Sequence, residues 1–280
     1  MTKNEIYVDF IAGWASGAIS TFGSQPIDTI LTRMQATRKP LNLIRGSTVN
    51  TTKHLIGSHG VPSLWRGSSA MIGAIPLQNA LLMMGYGYGK RWCEEHRPDG
   101  LLVGVFIGGC TGGVAQSFLM SPVELIKINQ QVMGKTFASA TSYVAFGERN
   151  IVMKGLGATL LRDGLPHGVW FASYEYMKAR LEDNASENSS FIPLFSGAFA
   201  ALMAWGVGYP FDIIKTRVQA SADSTRGALT VINATKEIIQ ESNGRPFLAF
   251  YRGFGLKIAK AVPSSGVNFY VYEAVTKELR

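Results

Sequence analysis

Six long apolar stretches alternate with shorter polar ones along the 280 residues, at about 8–35, 68–92, 101–132, 158–181, 191–220 and 256–279. Each is longer than the roughly 20 residues a helix needs to cross hydrocarbon. None is a uniform leucine-type run. Gly, Ser, Thr, Gln and Asn are interleaved throughout, which suits helices packed together around a polar interior. Inside each successive pair lies a polar segment with helical periodicity, at 47–57 in the first pair and 228–240 in the third. In the latter Val231, Ala234, Ile238 and Ile239 share a face, so these segments predict short amphipathic helices lying at a membrane interface. The middle counterpart, near 142–150, is expected to be truncated, because Pro122 to Gly155 spans 33 residues against 41 for Pro26–Gly67 and 43 for Pro210–Gly253.

The three pairs are copies of one unit. Pro26-Ile-Asp28, Pro122-Val-Glu124 and Pro210-Phe-Asp212 each place an acid two residues after a proline, and Gln35, Gln131 and Gln219 each lie nine after it. The prolines recur 96 and 88 residues apart, and such a period says that the fold is assembled from one repeated element. We divide the chain into repeats 1–97, 98–188 and 189–280 of a single transmembrane domain. Small-residue spacings open the odd helices: Gly13-x-x-x-Gly17, Gly109-x-x-x-Gly113 and Gly197-x-x-x-Ala201. These predict close backbone approach. Proline late in each odd helix removes a donor, which a membrane tolerates only where neighbours satisfy the freed carbonyl.

A hydrophobic content of 46% with 16% charged residues is apolar for a soluble protein. The net charge of +8 favours anionic partners. Acidic lipid fits better than nucleic acid, since the bases are scattered at segment ends with no run among them. Cys93 and Cys110 make neither a disulfide framework nor a metal spacing. His54, His59, His96 and His167 are dispersed, so no metal is expected, and no nucleophile with a matching base suggests an enzyme. Gly85-x-Gly87-x-Gly89-Lys90 lacks the phosphate-loop pattern and reads as helix packing. The first ten residues carry neither a secretory signal nor an Arg-rich transit pattern.

Pro-x-[Asp/Glu]-x-x-[Lys/Arg], three times in one chain, resembles the signature of the mitochondrial carrier family. The resemblance covers the whole sequence. It implies an all-α membrane protein of six transmembrane helices with pseudo-threefold symmetry, short interfacial helices on the matrix side, and solute transport by alternating access. It further implies a monomer in the mitochondrial inner membrane, with a small-molecule solute and cardiolipin as partners and no cofactor. Asp28, Glu124, Asp212, Lys127 and Lys215 lie at membrane depth, where ionisable side chains are costly and functional by default. Carried over from the family, Asp28 would pair with Lys127 and Glu124 with Lys215 as a matrix gate braced by Gln35, Gln131 and Gln219. The base that Asp212 would need is replaced by Leu31, unless Arg33 reaches in. A static ion-pair ring is the competing reading.

A weaker cytosolic gate is expected from Tyr174-Glu175-x-x-Lys178 and from Glu273 with Lys277, while Tyr86 with Lys90 and Arg91 lacks the acid. Trp65-Arg66-Gly67, Met153-Lys154-Gly155 and Tyr251-Arg252-Gly253 open the even helices and resemble the family's cardiolipin motif, since a base and a glycine at a helix N-terminus attract anions. A basic interfacial anchor without a specific lipid is the alternative. Substrate contacts are expected from the even helices, at Arg162, Asp163, Lys260, Gln78 and Asn79, with Asn268 and Trp170 shaping the cavity. Arg162 followed by Asp163 resembles the branch moving amino acids and carnitine-like compounds. An Arg162–Asp163 structural contact is disfavoured, because adjacent helical side chains do not face one another. The expected function is therefore antiport or uniport of a small zwitterionic or cationic metabolite. The alternative is a degenerate carrier acting as a membrane scaffold.

Overall fold

The computed structural model describes residues 3–36, 47–96, 100–146, 155–184, 192–221 and 230–279. Among them the secondary structure is helical, with no strand. Six long helices carry the repeats: α1 (Lys3–Ala36), α3 (Ser68–His96), α4 (Leu101–Val132), α6 (Leu156–Asn184), α7 (Ile192–Ala220) and α10 (Phe254–Leu279). Shorter ones lie inside each pair: α2 (Ser47–His59), α5 (Phe137–Phe146), α8 (Val231–Glu241) and α9 (Pro246–Phe250), with a 3-10 turn at Val61–Trp65.

Two local findings depart from the sequence reading. The middle short helix starts at Phe137 rather than near 142, because Gly134 turns the chain at φ 71° and the Thr136 hydroxyl accepts from the Ser139 N–H at 3.3 Å. That is N-capping, which satisfies a backbone donor left free at the first turn. At ten residues it is shorter than α2 (13) and α8 (11). In α8 the cap is Thr230, and Ala234 and Ile238 are buried, but Ile239 faces outward.

Every long helix carries an internal proline: Pro26, Pro76, Pro122, Pro166, Pro210 and Pro263. The even-helix set recurs with the odd. Proline at position i frees the carbonyl at i−4. Two of these carbonyls have indole partners: Trp65 Nε1 donates to Phe22 O at 3.1 Å, opposite Pro26, and Trp14 Nε1 donates to Ile72 O at 3.2 Å, opposite Pro76.

The burial pattern inverts that of a soluble domain. Ser16, Gln25, Thr29, Gln116, Ser117, Asn129 and Gln131 are buried, while Phe22, Met84, Phe118, Phe195 and Tyr270 are exposed. Large apolar side chains turned outward on every long helix mark a surface made for lipid. Leu102–Val132 and Phe195–Ala220 are by themselves long and apolar enough to cross a membrane. The other long helices carry more polar positions.

The chain forms two compact units, which cut across the repeats: 1–77, 122–155 and 216–280 in one, 78–121 and 156–215 in the other. In the first, α1 packs along α10, with Ser20 Oγ donating to Ser264 O at 2.8 Å. In the second, α4 is the centre. Its paired glycines serve two neighbours: Cβ atoms at Gly109 and Gly113 would meet Gly168 Cα at 2.8 Å and Gly164 Cα at 3.1 Å in α6, while one at Gly108 would meet Tyr86 O of α3 at 2.8 Å. Gly85 of α3 meets Gly112 in return. The other two spacings do something different. Gly13 and Gly197 have open space where a Cβ would stand, and Gly17 touches only the Ile75 side chain.

Candidate functional site

In the first unit the charged centre is Asp28. Lys127 Nζ contacts its Oδ2, and Lys260 Nζ contacts its Oδ1 at 2.6 Å. One carboxylate from repeat 1 is thus clamped by a base from repeat 2 and a base from repeat 3. Lys260, assigned from sequence to the substrate, is engaged with Asp28, because α1 and α10 are neighbours. Leu31, at the missing base position, is 2% exposed. Glu124, Asp212 and Lys215 are buried as well.

Of the three glutamines, Gln131 reaches the sequence neighbour of Asp28, and the other two meet different partners. Gln131 Nε2 donates to Thr29 Oγ1 at 3.0 Å, next to Asp28 in sequence. Gln35 Oε1 accepts from Thr216 Oγ1 at 3.1 Å, and Gln219 packs where a Cβ on Gly155 would stand 2.7 Å from its Cγ. Sequence reasoning missed a second set, seven residues after the prolines. Arg33 Nε donates to Gln131 O at 2.6 Å, and Arg217 Nε donates to Gln35 O at 3.0 Å. Each arginine therefore reaches the glutamine backbone of another repeat. Asn129 stands at the third position and donates to Leu125 O in its own helix, being too short to cross. Arg217 also makes a bidentate pair with Glu241, at 3.0 and 2.6 Å, which ties α7 to the end of α8. The phasing with the prolines was the signal that could have found them.

The three motif glycines that open the even helices share one backbone state. Gly67, Gly155 and Gly253 have φ of 86°, 94° and 85°, the left-handed region that glycine enters without steric cost. Arg66 gives its carbonyl to Gln25 Nε2 at 2.8 Å. Lys154 lies outside the described residues.

At the other helix ends, Lys178 approaches Glu182 of its own helix at 3.9 Å, and Lys90 approaches Glu94 at 4.0 Å. Both are exposed i,i+4 pairs, which contribute little. Glu175 is half-buried and Lys277 exposed, and the side chain of Glu273 lies outside those described.

The second unit holds a cavity of about 380 Å³. Gln78, Arg162, Asp163 and Trp170 line it, together with Gln116, His167, Phe171 and Trp205. Asn79, the neighbour of Gln78, is exposed and not part of the lining, since one residue along a helix turns the side chain by about 100°. The side chain of Asn268 lies outside those described.

Arg162 Nε stands 2.8 Å from Asp163 Oδ1, with Asp163 1% exposed. This corrects the argument from helix geometry. The arginine stem is long enough to fold back onto the adjacent carboxylate, and burial makes an opposite charge the best available partner. Ser117 Oγ lies 3.4 Å from Asp163 Oδ2, and the close α4–α6 approach at Gly113 brings the two together. His167, passed over as one of four dispersed histidines, contacts Asp163 O through Nδ1 at 2.6 Å and Gln116 Nε2 through Nε2 at 3.0 Å. Its signal was the i,i+4 spacing from Asp163. Among the described residues no group of three or more His, Cys, Asp or Glu could hold a metal. Apolar side chains, among them Leu82, Met83 and Pro166, complete the lining, so the cavity sets one opposite-charge pair and a few polar groups in a largely apolar wall, an arrangement suited to binding a small solute.

Comparison with known proteins agrees with this architecture. The family profile described as Mitochondrial carrier protein matches residues 2–97, 101–185 and 186–280. The chain is 30% identical over 281 residues to the mitochondrial arginine transporter BAC2 of Arabidopsis thaliana, covering 96% of this chain and 90% of that one. It is 27% identical to the glutamate/glycine mitochondrial carrier ymc1 of Schizosaccharomyces pombe, covering 97% and 94%. It is also 27% identical to the mitochondrial ornithine transporter 1 of Saccharomyces cerevisiae, covering 96% and 94%. Threefold repetition of the helix-pair unit, the buried acids after the prolines and the match over all three repeats make the chain a member of the mitochondrial carrier family.

Proposed function

We propose that the chain is a multi-pass carrier of the mitochondrial inner membrane that moves a small zwitterionic or cationic metabolite, an amino acid or a carnitine-like compound, as a monomer working by antiport or uniport. The observation that carries this reading is the cavity where Arg162 and Asp163 offer one positive and one negative charge in a buried setting. A carboxylate is best matched by arginine and an ammonium by a carboxylate, so a zwitterion can replace the internal pair group for group. The names of the three relatives, transporters of arginine, of ornithine and of glutamate or glycine, support the same class.

Coupling to alternating access would run through Asp28. Release of Lys127 or Lys260 from Asp28 would open the gate, and the substrate's differential affinity for the two states drives the change. The Gly67, Gly155 and Gly253 turns, with Arg66, Lys154 and Arg252, are proposed to hold cardiolipin phosphates.

The test is uptake of labelled arginine, ornithine, glutamate and carnitine into proteoliposomes. Arg162→Ala should cut uptake at least tenfold, and undiminished uptake would overturn the site assignment.

A further inference from the structure

Gln116 lies on α4, an odd helix, and lines the cavity at 1% exposure. His167 fixes its orientation. His167 Nδ1 meets the Asp163 carbonyl, which only accepts, so the ring proton is on Nδ1 and Nε2 offers a lone pair. Gln116 must then turn its N–H toward that lone pair, and Nε2 stands 3.0 Å away. Its carbonyl oxygen Oε1 is left buried, with no partner among the described residues. A buried acceptor without a donor is a costly thing to keep in a site that binds solutes. Beside it the lining offers Asp163 and the rings of Trp170, Phe171 and Trp205, all suited to positive charge.

We infer that Gln116 Oε1 accepts from the N–H groups of the substrate's cationic end, so that the carrier prefers primary ammonium or guanidinium compounds to quaternary ammonium ones. The inference rests on the transport reading above and narrows it. Aromatic faces and a carboxylate attract any organic cation and so do not separate lysine from its trimethylated form. The amide oxygen does: a quaternary ammonium has no N–H to give and would seal the acceptor away from both water and donor.

The experiment uses the full chain in proteoliposomes with a matched pair, lysine and Nε-trimethyllysine, alongside arginine and ornithine. Wild-type protein should prefer lysine about tenfold, the scale set by leaving one buried acceptor unpaired. Gln116→Met, which keeps length and removes the acceptor, should bring the lysine-to-trimethyllysine uptake ratio toward one. Equal uptake of the two by the wild type would overturn the inference and leave the transport reading standing, and that comparison does not depend on the variant folding. An unchanged ratio in Gln116→Met would also overturn it. Absence of uptake of all four compounds would remove the proposed substrate class, and the inference with it.

Discussion

At the scale of single residues, sharing decides the energetics. Asp28 answers two lysines, so its removal leaves two cations together, whereas loss of either lysine leaves the acid one partner. Breaking a buried pair by deleting one partner costs about 3–5 kcal/mol. Asp28→Asn should therefore lower thermal stability in detergent more than Lys127→Gln or Lys260→Gln, and the two lysine changes should each cost less than that figure. Equal melting temperatures for all three would deny that the carboxylate is shared. A reversed pair, Asp28→Lys with Lys127→Asp, should recover only part of transport, because Lys260 then faces a cation. The indole bridges give a second residue-scale prediction. Trp65→Phe keeps the ring near Phe22 but withdraws the N–H from the carbonyl that Pro26 freed, and should cost about 1 kcal/mol. Trp65→Phe with Pro26→Ala should cost less than the sum of the two, a double-mutant cycle read by thermal melting.

At the scale of helices, three similar glycine spacings have different consequences. Backbone meets backbone around α4, and a methyl group there collides with atoms that cannot swing away. Gly113→Ala should destabilise by about 1–3 kcal/mol through overpacking. Gly13→Ala and Gly197→Ala meet open space and should be neutral or stabilising by up to about 1 kcal/mol, the helix-propensity difference. A similar loss at all three sites would mean that α1 and α7 also pack by close approach. The sequence could show the spacing but not the neighbour, because a glycine pair reads the same whether another helix or lipid lies against it.

At the scale of the whole molecule, the repeats set the terms. The left-handed turns at Gly67, Gly155 and Gly253 are one device used three times. Alanine at any one of them should cost about 1–2 kcal/mol from the left-handed backbone alone. If the turns cradle cardiolipin, the lipid should raise the melting temperature of the wild type in detergent, with the rise shrinking as each glycine is replaced. A rise that survives all three replacements would place the lipid elsewhere. The arginine set seven residues after the prolines is present in two repeats and interrupted at Asn129, so Asn129→Arg is a natural probe of whether the third link can be restored.

The chain's own sequence determined the three repeats, the six long helices, the acids, bases and glutamines phased on the prolines, and hence the family. These are periodic features, written along one dimension, and α4 at Leu101–Val132 matches its predicted bounds residue for residue. Only the tertiary structure decided partners. It put Lys260 on Asp28 because α1 lies along α10, and it folded Arg162 back onto Asp163, whose buried carboxylate is best matched by an opposite charge. It also joined His167 and Gln116 across the tight α4–α6 contact, turning a histidine set aside as dispersed and an unremarked glutamine into part of one cavity lining. Spacing says which side chains share a face, but which face meets which, and what each polar atom then finds, is settled by packing in three dimensions.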